Sequence, residues 1–196
     1  MTGHSIDHAC QTGRHSKAAR GLDLYETPQV AVEALLAAEK NLSHWIWEPC
    51  AARGALARVL RDRGHAVIAS DIRDYGFPLH FVGDFMQLTN APVDCDAIVT
   101  NPPYRIATEF ARQALDLAPR VYLLLRSAFL ESVRRTEILE RRGLARVHAF
   151  RRRLPMMHRD GWSGPRASSA MPFAWFCWNR DHRGLTIVDR ILAVAS

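Results

Sequence analysis

The sequence predicts an α/β domain built on a mostly parallel sheet with helices on both faces. Three observations carry this reading. Several short runs are nearly all apolar, among them 65–70 (HAVIAS), 96–100 (DAIVT) and 121–125 (VYLLL), as strands covered on both sides are. Longer segments between them carry apolar residues at helical spacing. Strand and helix alternate along the chain, which is the pattern of βαβ units.

Residues 1–22 are polar, rich in Ser, His and Arg, and read as a flexible arm. Thr27-Pro28 opens a helix, with Thr as N-cap and Pro at the first helical position. Val32, Leu35 and Leu36 give that helix one buried stripe. A strand at 44–47 ends at Glu48-Pro49, because Pro cannot continue a central ladder. A turn containing Gly54 leads into a helix at 55–63, stopped by Gly64. The strand at 65–70 ends at Asp71. A loop runs to a short strand at Phe81-Val82, followed by Gly83-Asp84-Phe85. The strand at 96–100 ends in Asn101-Pro102-Pro103-Tyr104. Then come an amphipathic helix at 106–117, a strand at 121–125 and an amphipathic, Arg-rich helix at 129–142. A strand at 146–150, a polar loop over 151–171 and a last strand at 172–178 complete the pattern. The last two strands have no helix between them, so an antiparallel pair at one edge of a seven-stranded sheet is expected. One domain over 23–182 with a C-terminal extension at 183–196 accounts for the length.

Composition limits the function classes. Apolar residues at 48% and charged residues at 23% exclude wholesale disorder and coiled coil. No apolar run is long enough to span a membrane, and the N-terminus has no apolar core of a secretory signal. Four scattered cysteines without a CxxC pair argue against a disulfide framework, and the chain reads as cytoplasmic. Nine histidines show no HxH or HExxH spacing, so no metal site is expected. The charge is unevenly placed. Of 26 basic residues 24 are Arg, and ten of them lie between Arg134 and Arg166 against three acids. That surplus exceeds the net charge of +6 of the whole chain. Clustered Arg in a chain of pI about 9.6 points to a polyanion, nucleic acid first.

The chemistry concentrates at strand ends, where open α/β sheets bind ligands. Asn101-Pro102-Pro103-Tyr104 follows a buried strand. Two prolines fix the backbone and remove two donors, so the Pro102 carbonyl and the Asn101 amide oxygen form a rigid pair of acceptors. Such a pair matches the two donors of an exocyclic –NH₂. Tyr104 adds a flat face on which a base can stack. Glu48, Asp71 and Asp84 each lie just beyond a separate strand.

In this order the motifs resemble the class I S-adenosylmethionine (SAM) dependent amino-methyltransferases, above all the DNA adenine methyltransferases of gamma-type motif order and compact phage or prophage size. The family's tetrapeptide is [Asn/Asp/Ser]-Pro-Pro-[Tyr/Phe/Trp], matched at Asn101, Pro102, Pro103 and Tyr104. Tyr25-Glu26-Thr27-Pro28 resembles its Tyr-x-Thr-Pro element, and Glu48-Pro49-Cys50-Ala51-Ala52-Arg53-Gly54-Ala55-Leu56 its cofactor loop. The resemblance, over about 24–130, implies a Rossmann-like methyltransferase fold with SAM as cofactor. It also implies a set of cofactor residues: Tyr25, Thr27, Pro28, Glu48, Pro49, Cys50, Gly54, Asp71 (on the ribose) with Ile72, Asp84 and Phe85 (on the adenine), and Asn101. One departure stands out: the loop's first Gly is Ala52 here, and Ala disfavours positive φ. Methylation of ribosomal RNA guanine or a protein glutamine amide is the alternative chemistry. A catalytically inactive nucleic-acid-binding module on the same scaffold is the alternative class.

Overall fold

The computed structural model describes residues 25–92, 95–155, 157–158 and 171–193. The arm expected at 1–22 and the part of the Arg-rich loop at 159–168 lie outside the described residues. In chain order the elements are β1 (Tyr25–Glu26), α1 (Gln29–Ala38), β2 (Trp45–Glu48), α2 (Ala55–Asp62), β3 (Ala66–Asp71), β4 (Phe81–Val82) and β5 (Ala97–Thr100). They continue as α3 (Ala107–Leu117), β6 (Arg120–Arg126), β7 (Leu144–Phe150), β8 (Met157–His158), β9 (Phe173–Asn179) and β10 (Ile187–Ile191).

Eight strands form one sheet in the order β10-β7-β9-β6-β5-β2-β3-β4. The run from β6 to β4 is parallel, as the βαβ pattern requires. β9 is antiparallel to both β6 and β7. The sequence predicts seven strands with the antiparallel one at an edge, and two details differ. β10 adds an eighth strand, parallel to β7, inside the segment read as a C-terminal extension. It replaces β7 as the edge strand, and β9 is interior because it inserts between β6 and β7. Four of its five residues are exposed, so it shows no apolar alternation to read. β1 and β8 form a separate two-stranded antiparallel ribbon, Tyr25 opposite His158.

Helices cover both faces. Leu35 of α1 and Leu56 and Leu60 of α2 pack on Ile46, Val67, Val99 and Trp175. Phe110, Ala111 and Ala114 of α3 pack on Ile98, Val121, Leu123 and Phe176 on the other side. The indole of Trp175 donates to the Ala31 carbonyl at 2.8 Å, which ties α1 to β9.

Two helix expectations need correction. Pro28 occupies the N-cap of α1 in extended backbone, and no side chain caps the helix. Thr27 is buried instead, at 7% exposure. The Arg-rich helix at 129–142 does not form. In its place are 3-10 turns at Ser127–Leu130 and Val133–Arg135 and a five-residue π-type turn at Glu137–Arg141. Ser132 is fully extended at φ −173° and breaks any helix there. The Arg135 guanidinium donates to the carbonyls of Ala128 and Phe129 at 3.3 and 3.0 Å. It thus occupies acceptors that a continuing helix would need for its own N–H groups.

A polar network fastens the outer strands to α1. Buried His148 of β7 binds Glu39 through Nε2 at 2.8 Å and Asp189 of β10 through Nδ1 at 2.5 Å. Arg146 also donates to Glu39, at 3.2 Å. Burial alone would lower the His148 pKa, but the hydrogen bonds to Glu39 and Asp189 outweigh it and hold the pKa above its ordinary 6.5. The hydrogen bond from His148 lowers the pKa of Glu39 below its ordinary 4.5. With Cys177, these two residues place one potential metal-ligand atom each within 4.8 Å of one another, but Arg146 already supplies a cation to Glu39.

The linkage has a definite sign. A raised His pKa stabilises the fold fully below about 6.5 and loses that contribution as pH rises through the folded value. The lowered Glu39 pKa stabilises above about 4.5 and loses its contribution as pH falls. Stability from this network is therefore greatest between those limits. His148→Ala is expected to cost about 2 kcal/mol at pH 6, below the ~3–5 kcal/mol of a fully buried pair because Asp189 is half exposed. Urea midpoints from pH 6 to 9 check this. The wild type should weaken across that range, and the variant's curve should be flatter.

Candidate functional site

Parallel strands end on the same side of the sheet, so β2, β3 and β5 bring their carboxyl ends together. A cavity of about 360 Å³ opens there, lined by residues from all three ends and from the segment after β4.

The turn after β2 shapes one wall. The Ala51 N–H donates to the Ser70 carbonyl at 3.0 Å, which pins the turn to β3. Ala52 then adopts φ +48°, the one positive φ at a non-glycine residue among those described. That conformation aims its N–H at Asp71 Oδ2, 2.8 Å away. Gly54 follows at φ +77° and caps α2 in the left-handed region. A Cβ at Gly54 would lie closer than 3.0 Å to three carbons of the Phe77 ring. Phe77 is itself covered by the guanidinium groups of Arg58 and Arg61, 4.9 and 5.3 Å from its centroid.

The acids differ in environment. Asp71 is held by the N–H groups of Ala52 and Arg73, at 2.8 and 3.3 Å. Burial raises its pKa, and those donors partly oppose the rise. Glu48 is 2% exposed, and its Oε2 has no hydrogen-bond partner. Burial holds its carboxyl well above the ordinary range. The Ala57 N–H in the first turn of α2 opposes this, and the Asp71 charge reinforces it. Burial first, then the charges of Asp71 and Glu48, push the Cys50 thiol up, so it stays protonated near neutrality. Asp84 Oδ1 accepts from the Met86 N–H at 3.0 Å and starts the turn that carries Phe85. Phe85 stacks on Phe110 of α3, with centroids 4.2 Å apart, and lies 5.3 Å from Trp47.

At the end of β5, the Tyr104 hydroxyl donates to Asn101 Oδ1 at 2.6 Å. The Tyr104 ring leans on Phe173 at 5.4 Å, and the Arg126 guanidinium lies over it at 5.1 Å. The Pro103 carbonyl accepts from the Ile106 N–H, so the chain turns sharply into α3.

Of the residues singled out in the sequence, Thr27, Glu48, Pro49, Cys50, Asp71, Ile72, Asp84, Phe85, Asn101 and Pro103 line the cavity. Gly54 lies beneath Phe77, Pro102 is buried, and Pro28 and Tyr104 are outside the lining. The Tyr25 side chain is not among those described. The lining also holds Arg53, Tyr75, Met86, Arg105 and Phe110, which the sequence reading did not select. Arg105 and Met86 directly follow recognised motifs and could have been inferred from that adjacency. Tyr75 lies in a loop with no pattern to betray it.

No protein-family model and no curated protein sequence matches this chain. Solved structures do share its architecture. A candidate RNA methyltransferase from Pyrococcus horikoshii matches with a TM-score of 0.60 at 16% identity, over 85% of this chain and 91% of its own. The modification subunit of a candidate type I restriction enzyme from Vibrio vulnificus gives 0.57 at 13%, over 88% and 48%. Magnesium protoporphyrin IX methyltransferase from Synechocystis, solved with SAM bound, gives 0.52 at 16%, over 78% and 79%. The fold is therefore the Rossmann-like methyltransferase fold, with a mostly parallel sheet and one antiparallel strand near its edge.

Proposed function

We propose that this protein transfers a methyl group from SAM to the exocyclic amine of a nucleobase, with adenine N6 in DNA the target its motifs fit best. One observation carries the reading: a single cavity gathers Asn101 and Pro103 with Glu48, Asp71 and Asp84 from three other chain segments.

The cavity suits the cofactor chemically. Its volume of about 360 Å³ is within the usual range for small-molecule sites. Glu48 Oε2 is a buried acceptor left without a partner, as a site for a ligand amine requires. The Asp71 carboxylate, fixed by two backbone donors, suits a diol. Phe85 and Phe110 supply an apolar wall for an adenine ring.

SAM, when bound, supplies a methyl group on a sulfonium. Asn101 Oδ1 and the Pro102 carbonyl accept hydrogen bonds from the two N–H groups of the target amine and leave its lone pair free for in-line attack; the surplus proton of the methylated amine leaves to solvent. An amide oxygen has two lone pairs, so Asn101 can keep the Tyr104 hydroxyl while accepting from substrate. That hydroxyl fixes the amide's orientation, so catalysis rests on positioning and on preorganised acceptors. A paired base cannot reach this pocket and has to be extruded from the duplex. The clustered Arg residues supply the attraction to phosphate.

The test is calorimetric binding of SAM, followed by transfer of label from SAM to unmethylated DNA, RNA and protein. Label on adenine of DNA is the expected result. Label on RNA or on glutamine would keep the chemistry and change the substrate. No SAM binding would leave a scaffold without the reaction and overturn the proposal.

A further inference from the structure

The turn at 127–135 spends many hydrogen bonds on holding a side chain that packs against nothing. Phe129 anchors its base, 4% exposed and edge-on to Phe176. Arg135 lies over the Phe129 ring at 4.4 Å, and its Nε donates to Thr108 Oγ1 in the first turn of α3 at 3.0 Å. Ser132 Oγ accepts from the Arg134 N–H, and the Thr136 hydroxyl donates to the Val133 carbonyl at 2.9 Å. At the tip of this fastened turn Val133 is 91% exposed, and Leu130, three residues earlier, is 42% exposed.

Position gives the tip its meaning. It follows the carboxyl end of β6, the sheet neighbour of β5, whose end carries Asn101. Thr108, to which Arg135 of the same turn donates, is four residues beyond Tyr104. The turn therefore lies at the same end of the sheet as the cavity, whose lining includes exposed Arg105 and Ile106. Exposed Arg134 adjoins Val133, and Glu131 is the one acid within the turn. An apolar point among cations matches a stacked, polyanionic duplex better than an apolar protein groove. β-Branching stiffens Val at χ1, which suits a side chain that must hold its place between bases.

We propose that Val133 is a wedge that enters the base stack of a duplex and fills the space left by an extruded target. This rests on the proposed methyl transfer to a nucleobase. It adds the residue that makes paired substrate accessible. Opening a duplex costs unstacking energy, whereas a single strand needs no wedge.

The experiment compares label transfer from SAM to native and to heat-denatured unmethylated DNA, for wild type, Val133→Ser and Val133→Leu. Val133 packs against nothing, so the fold and SAM affinity should be unchanged by either substitution. Val133→Ser is expected to lose roughly tenfold or more on native DNA and little on denatured DNA, and Val133→Leu to keep most of the native-DNA rate. Equal loss on both substrates, or loss on neither, would overturn the wedge while leaving methyl transfer standing. Absence of transfer by the wild type on either form would remove the reading on which the wedge rests.

Discussion

Replacing Asn101 by Ala is expected to lower methyl transfer by about 100-fold or more, the scale seen when one preorganised polar group is removed from an active site. The amide oxygen is placed at the end of β5, beside the cavity that also holds the three acids. Its loss removes one of two acceptors for the target amine and frees the Tyr104 hydroxyl that it now holds at 2.6 Å. SAM affinity should fall far less, because Glu48, Asp71 and Phe85 remain. The variant should therefore separate turnover from cofactor binding in single-turnover label transfer set beside calorimetry. Asn101→Asp keeps an acceptor at the same place and should retain a measurable part of the rate. A rate for Asn101→Ala within about threefold of wild type would remove Asn101 from the chemistry.

The turn after β2 predicts two substitutions of opposite sign. Gly54→Ala should destabilise the protein by about 3 kcal/mol, a large part of the 5–15 kcal/mol typical of a domain. Two costs add: overpacking against Phe77 at ~1–3 kcal/mol and a left-handed backbone at ~1–2 kcal/mol. Pairing it with Phe77→Ala separates them, because removing the ring relieves the clash and leaves the backbone cost. The double variant should lose less than the two single losses combined. Ala52→Gly should instead stabilise by up to about 1 kcal/mol, since φ +48° is strained for Ala and easy for Gly. Urea midpoints measure all four variants. If Ala52→Gly destabilised the protein, the strain assigned to that residue would be absent.

Much of this structure could be read from the residues, and the failures share a cause. The central runs of β3 (66–69), β5 (97–99) and β6 (121–125) are apolar, as central strands of a parallel sheet must be. Once their ends were placed, the acids and Asn101 beyond them identified the cavity. α3 announced itself by Phe110, Ala111, Ala114 and Leu115 on one face. The segment at 129–142 has comparable local composition but is decided from a distance, by Arg135 reaching back to two carbonyls and across to Thr108. β10 exposes most of its residues and is recognisable only by its partner β7. Phe77 and Tyr75 belong to a loop whose residues acquire meaning from what they cover after folding. Local propensity reads elements whose environment repeats, and it misses those fixed by one long-range contact.

The interior place of β9 sets an order of assembly during synthesis. β6 and β7 never pair with each other, since β9 lies between them and is antiparallel to both. Until residues 173–179 have left the ribosome, β6 presents Val121–Leu125 along an open edge with nothing to cover it. A nascent chain stalled near residue 150 is thus a half-sheet with two adhesive borders, and such borders recruit other chains. Slower translation across the polar stretch before β9 is therefore expected to lengthen the exposure of that edge and to lower the native yield.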